Sequence, residues 1–193
     1  MKKFIWIAGI ILSSCSQQKS EAPTLASITP DGWKFQFEKE LPLLGHRNWI
    51  IVADKAFPEQ NAAGIEYINT NENLMPVLQY VLEKVNGSGH VKPIIYRDKE
   101  LGFITEEQVK GIEDFRSGSE KILKAQNPNS RGEAFQTILH DSVFTKLDAA
   151  SKLFKVVVLK TNETLPYTSV FLQLDCAYWN GNQEKQLREA MSK

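Results

Sequence analysis

The sequence predicts a three-layer α/β/α sandwich built on a mixed, mostly buried sheet. Three observations carry this expectation. Apolar runs at 48–53 and 155–160 are short, rich in β-branched residues and lack the in-out alternation of a half-exposed strand. Stretches with helical spacing, such as 74–85, alternate with them along the chain. Beyond its first 29 residues the chain keeps about 160 residues, enough for one domain with its own core.

The chain opens with Met1-Lys2-Lys3 and then nine apolar residues, 4–12. Nine helical residues reach only ~14 Å, whereas a bilayer core needs roughly 20 residues. The run is therefore expected to be an export signal and not a membrane span. Leu12-Ser13-Ser14-Cys15 resembles the lipobox of bacterial lipoproteins. It implies a signal peptide over 1–14 and lipidation of Cys15, with each buried CH₂ contributing ~0.8 kcal/mol to anchoring. The expected location is outside the cytoplasm, lipid-anchored on the periplasmic or cell-surface side of a bacterial membrane. Residues 15–29 are rich in Ser, Gln, Ala and Pro without apolar period, as a flexible tether would be, and 30–193 form the folded domain.

Taking away Lys2 and Lys3 leaves 21 of the 23 basic residues against 23 acidic ones. That near-neutral balance, without a basic stripe, speaks against nucleic acid as a partner. Of two cysteines, Cys15 is spoken for, so Cys176 has no partner for an internal disulfide. Its apolar strand context places it in the core.

The elements follow in order. Residues 48–53, bounded by Gly45 and Phe57-Pro58, form a buried strand. Residues 74–85 form a helix, with Asn73 as its cap and Pro76 in the first turn, where a missing N–H costs little. Asn86-Gly87-Ser88-Gly89 ends it, and 91–96 is a second strand. Thr105-Glu106-Glu107-Gln108 has the pattern of a helix start, the helix running on towards Phe115. Residues 127–132 are a loop. Residues 134–139 suit a strand or a helix equally. A helix over 144–153 leads to the clearest strand, 155–160. Leu165-Pro166-Tyr167 turns into a last strand, 169–174, and 183–191 is a charged amphipathic helix.

Three histidines are candidates for chemistry. His46 immediately precedes the first strand, and Asp54 lies at its far end, where a carboxylate is well placed for a cleft. The structural alternative is that Asp54 caps a turn and His46 satisfies a loop carbonyl. His90 follows Gly-Ser-Gly and reads as a surface residue. His46, Asp54 and His140 are metal-ligand types, but no two have a close ligand spacing, so no metal is expected. No Gly-x-Ser-x-Gly supports a hydrolase nucleophile.

Three blocks in order resemble the D-ribose pyranase / L-fucose mutarotase (RbsD/FucU) family. The first is Leu44-Gly45-His46-Arg47-Asn48-Trp49-Ile50-Ile51-Val52-Ala53-Asp54-Lys55-Ala56-Phe57-Pro58, a Gly-His pair, an apolar strand, and an Asp before a short turn to Pro. The second is His140-Asp141-Ser142-Val143-Phe144. The third runs from Val157-Val158-Leu159-Lys160 through Thr161-Asn162-Glu163-Thr164 to Leu165-Pro166-Tyr167-Thr168-Ser169-Val170-Phe171-Leu172. Together they span about residues 43–174.

The resemblance implies a sugar mutarotase or pyranase that interconverts anomers, or pyranose and furanose forms, of a monosaccharide through ring opening. The alternative is a lipoprotein on the same fold that binds a monosaccharide without turning it over. By the same resemblance His46 is the proton donor, and Asp54, His140, Tyr167 and Ser169 hold the sugar. No cofactor is implied. A homo-oligomer is, with the Pro-Tyr segment of one subunit completing a neighbour's site. An imidazole suits the proton transfers of hemiacetal opening at neutral pH. Three positions depart from the family pattern: Asn48 stands where the family has Asp, Lys55 where it has a small residue, and Ser169 where it has Asn. Asn48 loses a charge that could raise the pKa of His46, and Ser169 shortens the reach to a sugar hydroxyl.

Overall fold

The computed structural model of the protein describes residues 32–127 and 133–192. The expected signal peptide, Cys15, the tether and residues 128–132 of the expected loop lie outside them.

Helix α1 (Gly32–Glu40) and a short 3-10 turn (Leu41–Leu43) lead to β1 (Trp49–Ala53). Strand β2 (Ile65–Asn69), α2 (Leu74–Gly87) and β3 (Val91–Asp98) follow, then a 3-10 turn (Lys99–Phe103) and α3 (Ile112–Ala125). Strand β4 (Gln136–Ile138), α4 (His140–Ser151), β5 (Val156–Lys160), β6 (Val170–Cys176) and α5 (Gly181–Met191) complete the fold.

The six strands lie in the order β2-β5-β1-β6-β3-β4. β1 runs parallel to β5, β2 to β5 and β3 to β4, while β6 is antiparallel to both β1 and β3. The mixed sheet of the sequence expectation is therefore present. Its burial on both faces explains the unalternating runs: every residue of β1 is buried. Ile50, Val52, Val157, Leu159 and Leu172 face α1, α2 and α3, which contribute Trp33, Phe37, Leu78, Ile112 and Phe115. Trp49, Ile51, Val156, Val158 and Phe171 face α4, with Val143 and Leu147. This is a three-layer sandwich. Helix α5 has no buried residue and stands outside it.

Several expectations need correction. α1 and β2 lie outside the elements that the sequence pattern predicts. Asn73 occupies the N-cap of α2, but its side chain makes no capping bond. Thr105 and Gln108 do exchange the reciprocal bonds of a helix start, Thr105 N–H to Gln108 Oε1 at 2.9 Å and Gln108 N–H to Thr105 Oγ1 at 3.4 Å. The turn does not propagate, because Gly111 adopts φ 86° and α3 starts only after it. Residues 134–139, left open between strand and helix, contain the short edge strand β4. α4 begins at His140, four residues before the expected start. Cys176, expected in the core, is only partly buried at the end of β6. His90 is no free surface residue: its Nε2 lies 3.0 Å from Leu44 O and its Nδ1 3.2 Å from Ser88 O, and the neutral ring donates to one of these carbonyls.

Gly64 precedes β2 where a Cβ would lie 2.3 Å from Ser151 O and 2.9 Å from Phe154 O. Both neighbours are backbone atoms and cannot rotate away. Gly64→Ala should therefore cost about 1–3 kcal/mol through overpacking, read as a lowered midpoint in urea denaturation; an unchanged midpoint would contradict this packing.

Candidate functional site

Because β6 is antiparallel to its two neighbours, β1, β3 and β4 all end on the edge of the sheet where β6 begins. Ligands in open α/β sheets bind outside such carboxyl ends. Four chemically useful side chains collect here. Asp54 follows the last residue of β1, Asp98 ends β3, His140 follows β4 by two residues and opens α4, and Ser169 immediately precedes β6. The register Val52↔Val170↔Arg97 and Asp98↔Ile138 makes them neighbours. The turn before β6 adds Pro166 and Tyr167. Asp54, Phe57, Pro58, His140, Pro166 and Tyr167 enclose a cavity of about 280 Å³. A larger groove of about 830 Å³ runs beside Gly64, Tyr67 and Phe154. It gathers none of these groups, and its Glu66 and Lys155 are already paired with each other.

Asp54 is held rigidly. Its Oδ1 accepts from Ala56 N–H at 2.9 Å, and its Oδ2 accepts from the Ser169 hydroxyl at 2.8 Å. Ser169 Oγ in turn accepts from Asp54 N–H at 3.0 Å. Each carboxylate oxygen keeps a second acceptor site for a ligand hydroxyl. Ser169 is thus the brace of Asp54 and lies behind it. Lys160 spans the same loop, its ammonium donating to Lys55 O at 2.9 Å and to Phe57 O.

His140 is fixed on three sides. Its backbone N–H donates to the Glu100 carboxylate at 3.1 Å, a favourable charge at a helix start. Its ring lies edge-on to Phe144 and Tyr167, with centroids 4.9 and 5.2 Å away. Nδ1 sits 2.9 Å from Asp98 Oδ2. Nε2 has no hydrogen-bond partner among the described residues.

Asp98 is the residue that sequence reasoning missed. In Arg97-Asp98-Lys99-Glu100 it resembles part of a solvated charge run, yet its side chain has no exposed surface. Burial pushes its carboxyl up to about 6; the His140 bond opposes that rise, while Glu100 and Asp54 add to it. Asp98 Oδ1 is buried without a partner among the described residues. The available signal was position, since Asp98, like Asp54, ends a buried strand.

Tyr167 adopts φ 58°. For an aromatic residue this left-handed conformation costs roughly 1–2 kcal/mol, and such strain persists where the surroundings hold a side chain in a useful place. Here it turns the ring onto His140 of the same chain. Pro166 and Tyr167 line the cavity of their own chain.

His46 is not brought to this cavity within one chain. It is exposed, before the amino end of β1, with roughly 16 Å of strand between it and Asp54. Its neighbour Arg47 has φ 75° and donates its N–H to Leu174 O at 2.8 Å, at the far end of β6. Asn48 accepts from Gly45 N–H at 2.7 Å and donates to Lys155 O at 3.1 Å. An aspartate could not make the second bond, so the departure at this position stabilises the loop that carries His46. Lys55 points to Asn162 Oδ1 at 3.0 Å. Among the described residues no group of three or more His, Cys, Asp or Glu is arranged to hold a metal ion, and no helix is long and apolar enough to cross a membrane.

No protein-family model matches the sequence, and no curated protein matches it. Solved structures do match. FucU from Bifidobacterium longum aligns at TM-score 0.52 and 15% identity, covering 72% of this chain and 93% of that one. The fucose mutarotase in complex with L-fucose from Streptococcus pneumoniae aligns at 0.50 and 15%, covering 77% and 93%. Bacillus subtilis RbsD complexed with D-ribose aligns at 0.49 and 19%, covering 72% and 91%. The chain has the RbsD/FucU fold, as the three sequence blocks implied.

Proposed function

We propose that this protein binds a monosaccharide between Asp54, His140 and Tyr167 and catalyses its mutarotation or its pyranose-furanose interconversion by ring opening. One observation carries the proposal: residues distant in sequence, which the resemblance assigns to the sugar, gather around one small cavity with an imidazole nitrogen free to face it. The cavity is below the ~300–1,000 Å³ of drug-sized ligand sites, which suits a single sugar ring. Asp54 accepts from sugar hydroxyls and Tyr167 covers an apolar face of the ring.

Opening a cyclic hemiacetal needs two proton transfers. The anomeric hydroxyl gives its proton to a base while the bond from the anomeric carbon to the ring oxygen breaks, and the ring oxygen takes a proton from an acid. Rotation about the single bond beside the freed carbonyl presents its other face, and reversal of both transfers gives the other anomer; attack by a different chain hydroxyl gives the other ring size. His140 supplies one of these groups. The other, which the resemblance assigns to His46, comes from a second copy of the chain, so the homo-oligomer belongs to the same proposal. A monomer would have a single free imidazole at its site, and that arrangement favours the second reading, a binding lipoprotein without turnover. Saturation-transfer NMR on free sugars separates the two: exchange between anomers above the buffer rate supports the enzyme, and binding without exchange supports the second reading.

Export and anchoring through Cys15 are part of the proposal on the strength of Leu12-Ser13-Ser14-Cys15. Cys15→Ala should release the protein from membranes or block its processing. A variant that still fractionates with membranes at its mature size would contradict lipidation.

A further inference from the structure

We propose that Asp98 is a positioning residue that fixes the tautomer of His140, keeping the proton on Nδ1 and presenting Nε2 to the sugar as the base that accepts the anomeric proton. The inference rests on the ring-opening proposal for its chemistry, and on the geometry alone for the tautomer.

A neutral imidazole carries one proton, and the partner of one nitrogen decides the state of the other. Asp98 Oδ2 lies 2.9 Å from Nδ1. An ionised carboxylate can only accept, so Nδ1 must donate and Nε2 is left with its lone pair. The pair cannot easily rearrange. Asp98 has no exposed side-chain surface and sits between β6 and β4. His140 is held by Glu100 at its backbone and by two aromatic rings packed against its own in T-shaped contacts. A buried carboxylate with one oxygen otherwise unpartnered is costly to keep. Nothing in the packing of β3 calls for it, whereas orienting a base in a cleft does.

The charged and titratable groups facing Asp98 are His140 from α4, Glu100 from the 3-10 turn and Asp54 from the end of β1. With its carboxyl pushed up to about 6, Asp98 is ionised at pH 8 and protonates as pH falls through 6, when it no longer requires Nδ1 to donate. Exchange activity should fall on that acid side. Stability runs the other way. A carboxyl held above its ordinary value binds its proton more tightly in the folded state, so its ionisation erodes stability as pH rises through about 6.

The test uses the full chain and Asp98→Asn, which keeps the shape and removes the charge. Side-chain ¹⁵N NMR of His140 at pH 8 should show a protonated Nδ1 and an unprotonated Nε2 in the wild type. In Asp98→Asn the amide can donate to Nδ1, moving the proton to Nε2 in part or whole. Anomer exchange should fall about 10²-fold or more, mostly in kcat with little change in KM, while the melting temperature at pH 8 stays equal or rises. The proposal is overturned if wild-type His140 carries its proton on Nε2, or if Asp98→Asn exchanges sugar within threefold of the wild type. A wild type that exchanges none of the sugars tried refutes the ring-opening proposal instead, and the ¹⁵N spectra still decide the tautomer.

Discussion

Replacing His140 with alanine should lower anomer exchange by about 10²-fold or more, the usual weight of a positioned general acid or base. Among the described residues it is the one imidazole in the cavity, and its Nε2 is free. The same change leaves Asp98 buried without its partner, which costs several kcal/mol in related situations. At neutral pH the Asp98 carboxyl, already pushed up to about 6, should respond by taking up a proton more readily. The variant should therefore be less stable at pH 8 than at pH 5, and exchange should be measured on protein shown by its melting curve to be folded. His140→Ala that is folded and exchanges sugar at the wild-type rate would remove His140 from the chemistry.

The second large effect concerns His46. The residue is exposed and has no hydrogen-bond partner among the described residues, so His46→Ala should change stability by no more than about 0.5 kcal/mol. If His46 of one copy supplies the acid for another copy's cavity, exchange should nevertheless fall about 10²-fold. Mixing unfolded His46→Ala and His140→Ala chains and refolding them together should then restore activity in about a quarter of the sites, as random mixing in a closed ring requires. No recovery on mixing, or an unaltered rate in the single variant, would exclude a shared site. Light scattering on the soluble domain accompanies this test, because a monomer that turns over sugar would refute it as well.

Much of the fold was legible because the physics was local. Trp49–Ala53 and Val156–Lys160 show unalternating apolar runs, and a strand buried on both faces produces that pattern. α2 has the spacing and terminal residues of a helix, with six buried positions on one side. What escaped the sequence depends on partners far along the chain. α1 buries only Trp33 and Phe37 and leaves Phe35 exposed, so its apolar pattern is thin. β2 is an edge strand with one fully buried residue. Thr105 and Gln108 form the local bonds of a helix start, but Gly111 decides where the helix begins.

The site divides in the same way. Asp54, His140, Tyr167 and Ser169 stood out through their motifs, and one cleft collects them, with Ser169 bracing Asp54. His46 stood out equally, but a strand has two ends and the sequence does not say which of them a cleft uses. Asp98 looked like surface charge, because its burial comes from β6 and β4 pairing on either side of β3.

In the proposed chemistry the cavity at the carboxyl ends of β1, β3 and β4 opens and recloses a sugar ring. Saturation transfer between the anomeric proton signals of ribose, fucose, galactose and glucose, with and without the purified protein at pH 8, tests it most directly. Exchange above the buffer rate is expected for at least one of these sugars, lost in folded His140→Ala. Exchange at the buffer rate for all four, or enhanced exchange that persists in folded His140→Ala, would contradict it.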